Sequence, residues 1–264
     1  MYSFSETELI GAIGDYFWVF CRLGAFFLVI PILGTQLVSP RVRLVLAGFI
    51  TFLAMPLLPA PVQTPAFDIS TLLIVIEQVI IGLGMGFVLQ ILFQIFVLAG
   101  QIIAMKMGLG FASMNDPSNG VTVTVLSQFY LMVATLLFLS INGHLLMMES
   151  VVESFRAWPI GTNAQFASLG QSNGLYNIAT MGSWMFQAAL IMALPVLTSI
   201  LVVNLAFGVM SRAAPQMNVF TVGFPITLVF GMTLIYFGLQ NFLPTFMNHV
   251  DEGFSVLRNL FNFP

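Results

Sequence analysis

Apolar residues fill this chain in long continuous runs separated by short polar stretches. Six runs stand out, at roughly 10–32, 42–58, 69–99, 122–148, 183–209 and 219–246. Charge is absent over long distances: no Asp, Glu, Lys or Arg occurs from Pro117 to Met148, from Ala157 to Ser211, or from Ala213 to Val250. A bilayer core of about 30 Å takes about 20 apolar residues in a helix. Backbone polar groups in lipid must be satisfied within the segment or its neighbours, and the runs lack the two-residue alternation of a membrane β-barrel. The pattern predicts an all-α membrane protein with about six hydrophobic segments forming kinked helical hairpins.

The connections differ in character. Gly34 to Pro40 leads into Arg41 and Arg43, and Pro56, Pro59, Pro61 and Pro65 make a stiff, non-helical turn. Gln101 to Gly120 mixes glycines with Lys106, Asp116 and Pro117, and Glu149 to Gly182 is the longest polar stretch. Arg212 to Asn218 has room only for a hairpin turn. Pro195 and Pro225 fall inside apolar runs and predict kinks. The run 69–99 would rise about 46 Å as a helix, more than the hydrocarbon core. It must therefore tilt, break near Gly82, Gly84 and Gly86, or continue beyond the bilayer.

Composition sharpens this picture. The chain is 59% hydrophobic and 6% charged, where soluble domains carry about 25% charged residues. A net charge of −3 with no basic patch gives no reason to expect nucleic acid. Alternate connections place Arg41, Arg43, Lys106 and Arg212 on one side and Arg156 and Arg258 on the other. The positive-inside rule then makes the first side cytoplasmic, with both termini opposite. Glu6 and Glu8 give the N-terminus the wrong charge for a signal peptide, so the first segment is expected to be retained.

Candidate chemistry is sparse. The only lysine, Lys106, lies in no phosphate-binding loop. His144 and His249 fit no metal-ligand spacing, Cys21 stands alone among apolar neighbours, and no GxSxG occurs. No enzyme, cofactor or metal is expected. His144, with Asn142 and Gly143, reads as a helix end near the second surface. Gly82 and Gly86 form a small-xxx-small pair that lets another helix approach closely. Gln90, Gln94 and Gln101 fall at i, i+4 and i+11 in one polar stripe, which suits interhelical hydrogen bonds or the wall of an aqueous conduit. Asp15, Arg22 and Glu77 are ionisable groups in or near apolar segments. A paired structural charge and a proton relay are both open for them; a relay would make the chain a proton-coupled transporter. The stretch from Met105 to Gly120 sets Met105, Met107 and Met114 with Gly108, Gly110 and Phe111 between two apolar runs. Non-helical backbone at membrane depth is tolerated where it is buried or lines a cavity, so this is a buried element or an ordinary cytoplasmic loop.

Taken in order, the chain resembles the FliR family of the flagellar type III export gate. The resemblance runs through the Arg22 helix ending at Pro31; PRVRLVL from Pro40 to Leu46; Glu77-Gln78 with Gly82 to Gly86; and MGLGFA from Met107 to Ala112 followed by Asp116-Pro117. It continues through Phe138 to Leu145, Pro159 to Gly161, Ala193 to Pro195, Val203-Asn204, Arg212 to Asn218 and Gly223 to Pro225. It implies a non-enzymatic subunit of the bacterial inner membrane, in the flagellar basal body, that forms with FliP and FliQ the channel for unfolded flagellar proteins. Residues 1–182 would be FliP-like and 183–264 FliQ-like. The stretch Met105, Lys106, Met107, Gly108, Gly110, Phe111, Met114, Asp116 and Pro117 would plug the resting channel. Arg212, Pro215, Gln216 and Asn218 would form a cytoplasmic hairpin tip near FlhB and FlhA. The family also lifts much of its apolar mass out of the bilayer plane. An injectisome export gate subunit of the same shape is the alternative, and Asp116-Pro117 and Arg212 to Asn218 lean flagellar.

Overall fold

The computed structural model describes residues 6–35, 38–58, 69–111, 113–115, 122–161, 174–213 and 219–261. Eight α-helices run through the described residues: α1 (Glu6–Val29), α2 (Pro40–Ala54), α3 (Ile69–Lys106), α4 (Val125–Ser140), α5 (Gly143–Ala157), α6 (Gly174–Ala213), α7 (Val219–Gly238) and α8 (Phe242–Phe261). The exception to this all-α fold is a short antiparallel pair, β1 (Ser113–Asn115) and β2 (Thr122–Thr124), with Met114 opposite Val123. By length and composition, four stretches of the described residues can cross a membrane: Pro40–Leu57, Thr71–Lys106, Thr180–Ala213 and Gly223–Leu260. Counting the broken pair α4 and α5 as one span makes five.

The six apolar runs of the sequence appear as helices, the last divided between α7 and α8 by a 3-10 turn at Leu239–Asn241, and two other runs differ from expectation. The overlong third run does not break at its glycines: α3 continues for 38 residues, a rise of about 57 Å. The fourth run does break, because Asn142 adopts a left-handed conformation, φ 58°. Asparagine tolerates that region better than most residues. Its carbonyl then accepts from the Leu145 N–H at 2.9 Å, and α5 starts at once. The sequence read only a helix end there. Pro195 and Pro225 both lie inside helices, α6 and α7. Hydroxyls cluster beside each: Ser199 Oγ donates to the Pro195 carbonyl at 2.7 Å and Thr227 Oγ1 to that of Phe224 at 2.9 Å.

Two compact units divide the chain. The first takes Met1–Gln90, Leu139–Met181 and Gly253–Pro264. In it α1 lies directly on α3, and the glycines of α3 are the reason. A β-carbon at Gly82 would sit 2.3 Å from the Arg22 carbonyl oxygen, and one at Gly86 would sit 3.0 Å from Val29 Cβ. Between these contacts Phe26 and Phe27 are fully buried. The chain leaves α1 through Ile32 at φ 76°, a strained value for a β-branched residue. The turn is held in place by the Gly34 N–H, which donates to the Ile30 carbonyl at 2.8 Å, and by Arg43. The Arg43 guanidinium donates to the carbonyls of Thr35 and, at 2.9 Å, Val38. Pro40 then opens α2 at a position where its missing N–H is harmless.

The second unit takes Ile91–Phe138 and Gly182–Glu252. Its aromatic core is built on the later turns of α3. Phe93 meets Phe138 edge-on with ring centres 5.2 Å apart, and Phe96 lies 5.5 Å from Phe242 and 5.4 Å from Phe246. His249 packs against both Phe96 and Trp184. Gly100 admits the first turn of α4, since a β-carbon there would lie 2.7 Å from Ser127 Cα.

Gly82 and Gly24 give a matched test. Nothing lies within 4 Å of a β-carbon at Gly24, so Gly24→Ala should be neutral or add up to about 1 kcal/mol of helix stability. Gly82→Ala should cost about 1–3 kcal/mol by forcing α1 and α3 apart. Thermal unfolding of the detergent-purified protein would register the difference. Equal midpoints would mean that α1 and α3 are not in backbone contact at Gly82.

Candidate functional site

The first unit buries a complete arginine. Arg22 is 0% exposed. Its Nε donates to Gln78 Oε1 at 2.8 Å, its Nη1 to Ser154 Oγ at 3.0 Å and its Nη2 to the Trp158 carbonyl at 2.8 Å. The guanidinium also stands over the Phe155 ring, 4.0 Å from its centre, a cation–π contact. Each partner has a local reason to be available. Trp158 follows the last turn of α5, where helix carbonyls lack intrahelical donors. Ser154 Oγ gives its own proton to the Val151 carbonyl and so presents a lone pair to Arg22. These three hydrogen bonds go to neutral groups. Glu77, beside Gln78 on α3, is also buried. Its Oε1 and the neighbouring Gln78 Nε2 have no hydrogen-bond partner among the described residues. Asp15 is half-buried on α1, two turns before Arg22.

The second unit holds the end of α3 and the segment that follows. Met105 is 64% exposed and Lys106 is also exposed, whereas Met107 is buried. The helix closes with the Met107 N–H on the Ile103 carbonyl and the Gly108 N–H on that of Met105. Gly108 then takes φ 81°, the left-handed conformation that terminates helices. A short 3-10 turn, Leu109–Phe111, follows, with Gly110 exposed. Met114 sits in β1; Asp116 and Pro117 lie outside the described residues.

The return to α4 is pinned by Gln101. Its Oε1 accepts from the Thr124 N–H and from Ser127 Oγ, both at 3.2 Å. Thr124 Oγ1 caps α4 by accepting from the Ser127 N–H at 3.3 Å. Of the glutamine stripe, Gln101 thus bonds across to the next element, while Gln90 and Gln94 are half-buried along α3. Arg212 is exposed near the end of α6; Pro215, Gln216 and Asn218 lie outside the described residues. Among the described residues no three His, Cys, Asp or Glu side chains converge as a metal site.

Gln78, Ser154, Phe155 and the Trp158 carbonyl escaped the sequence reading. Only Gln78 carried a hint, as a polar residue beside Glu77 in an apolar run. Thr124 and Ser127 escaped as well, although a threonine directly before an apolar run is a helix-start signal.

Removing Arg22 should take its three donated hydrogen bonds from Gln78, Ser154 and the Trp158 carbonyl. Arg22→Ala should destabilise by about 3–5 kcal/mol. Arg22→Lys should rescue only part, because an ammonium lacks the planar fork. Unfolding midpoints and steady-state membrane levels would give the order wild type, Lys, Ala. A lysine variant as stable as wild type would show that charge alone matters there.

Comparison with known proteins finds relatives over nearly the whole chain. Residues 13–253 match the family of bacterial export proteins, family 1. The chain is 37% identical to the flagellar biosynthetic protein FliR of Escherichia coli (strain K12), covering 98% of this chain and 97% of that one. It is 34% identical to the same protein of Pectobacterium carotovorum subsp. carotovorum, with the same coverage. It is 30% identical to the surface presentation of antigens protein SpaR of Shigella flexneri, over 83% of this chain and 82% of that one. An apolar all-α chain that matches these proteins almost end to end belongs to the FliR family of bacterial export proteins and is a membrane-embedded component of the flagellar export apparatus.

Proposed function

We propose that this chain is a non-enzymatic subunit of the export gate that forms, with FliP and FliQ, the channel for unfolded flagellar proteins in the bacterial inner membrane. The observation that carries the reading is the interruption between α3 and α4. Between the two apolar helices, Ser113–Asn115 and Thr122–Thr124 are extended, and the chain is tied down where it leaves α3 and where it enters α4. Irregular backbone is tolerated at membrane depth where it is buried in protein or lines a cavity. A plug spanning Met105 to Asn119 fits that requirement.

The outer surface supports an assembled role. Leu201 is 58% exposed, Val202 65%, Leu205 63% and Val209 71%, which leaves a broad apolar face of α6 uncovered. On α7 a shallow apolar groove is lined by Leu228, Val229, Met232, Thr233, Tyr236 and Phe237. Faces of this kind need lipid or other subunits to cover them. In this reading residues 1–182 play the FliP-like part and 183–264 the FliQ-like part. The turn from Arg212 to Asn218 faces the cytoplasm near FlhB and FlhA, and the positive-inside rule supports the cytoplasmic side. The FliR proteins of Escherichia coli and Pectobacterium carotovorum match at higher identity and coverage than SpaR, which favours a flagellar gate over an injectisome gate. Arg22 is engaged by three protein groups, which disfavours the proton-coupled transporter.

Purification of a tagged chain in mild detergent should bring FliP and FliQ with it, seen by native mass analysis as one large complex. A stable monomer or symmetric dimer would overturn the proposal. In that complex, shortening the Met105–Asn119 stretch should make the membrane leak ions. Unchanged conductance with intact assembly would remove the plug.

A further inference from the structure

We propose that α7 latches the segment after α3 shut, with Met107 as the bolt and Gly231 as its keeper. The inference rests on the plug reading and adds what holds the plug closed. Met107 is 1% exposed, in contrast to Met105 two residues earlier. Its side chain lies flat along α7 at Gly231. A β-carbon on Gly231 would come within 2.7 Å of Met107 Cε, 2.8 Å of Cγ and 2.9 Å of Sδ. A β-carbon at Gly231 could enter only if the Met107 side chain moved aside. One residue further on, Phe224 of α7 covers Gly108, whose β-carbon would lie 2.6 Å from the Phe224 ring. Gly108 is also the residue whose left-handed φ turns the chain out of α3.

The contact suits a device that must hold and then release. Between apolar helices the hydrophobic effect is weak, and close packing at small residues supplies the attraction. A methionine is unbranched and makes that packing without polar commitments, so it can leave and return. The other end of the segment is fastened differently, by the hydrogen bonds of Gln101 to Thr124 and Ser127. Breaking those in apolar surroundings strands polar groups. The Gln101 end is therefore the hinge and the Met107 end the catch. Opening the plug requires Met107 to leave Gly231, which couples the plug to any displacement of α7.

The test uses the assembled gate. Gly231→Leu fills the keeper and should raise resting ion leak about tenfold or more, since loss of one buried methionine contact shifts a two-state equilibrium by at least that factor. Met107→Cys with Gly231→Cys, in a Cys21→Ser background, places two thiols within disulfide reach. Oxidation should stop export of flagellar subunits and reduction should restore it. The shortened-plug variant separates the two ideas. If it leaks while Gly231→Leu assembles and stays tight, the latch is wrong and the plug stands. If the shortened plug itself does not leak, the plug reading falls and the latch with it. Should Gly231→Leu fail to assemble, the cysteine pair decides. A pair that will not cross-link, or one that exports normally once cross-linked, overturns the latch.

Discussion

A guanidinium out of reach of water must find its hydrogen bonds on protein, and in this chain that requirement organises the first unit. Arg22 draws together a glutamine from α3, a serine from α5 and the carbonyl that follows the last turn of α5. Three segments far apart in sequence are thereby fixed to one planar group whose donors point in set directions. The close approach of α1 to α3 follows from the same place. Arg22 reaches Gln78 from a backbone so near α3 that its own carbonyl occupies the space a side chain at Gly82 would need. Polar satisfaction and steric permission therefore depend on each other.

The second unit meets the same demand with smaller means. The chain must reverse between α3 and α4, and a reversal exposes backbone donors and acceptors. Gly108 ends α3, the β1–β2 pair satisfies part of the backbone that follows, and Gln101 and Thr124 serve the first turn of α4. Each of these devices is weak alone. Together they let a strand-like reversal exist between helices that are otherwise almost uniformly apolar.

The helices and the all-α class were legible in the sequence because lipid solvation leaves a strong, local signal: long runs without charge. The lengths were less legible. Nothing in the composition of the third run told whether Gly82, Gly84 and Gly86 would break it; they do not, and α1 lies in the space that Gly82 and Gly86 leave. Asn142 breaks the fourth run through backbone conformation, which hydropathy does not record. The polar partners of Arg22 were hidden for a different reason. A main-chain carbonyl such as that of Trp158 has no residue type to recognise, and Ser154 looks like any helical serine until α1 is placed beside it. Met107 and Met105 are alike in sequence and opposite in burial, a distinction that only tertiary packing makes.

Lys106 has a practical consequence of another kind. It is the chain's sole lysine and it is exposed at the last position of α3, directly before the buried Met107. The side-chain amine chemistry of this chain is therefore confined to one place. Among the side chains, an amine-reactive fluorophore or spin label would attach there alone, with no engineered site, beside the residue where the helix gives way to the turn. Spectroscopists ordinarily have to build such a reporter into a membrane protein; here the sequence supplies it.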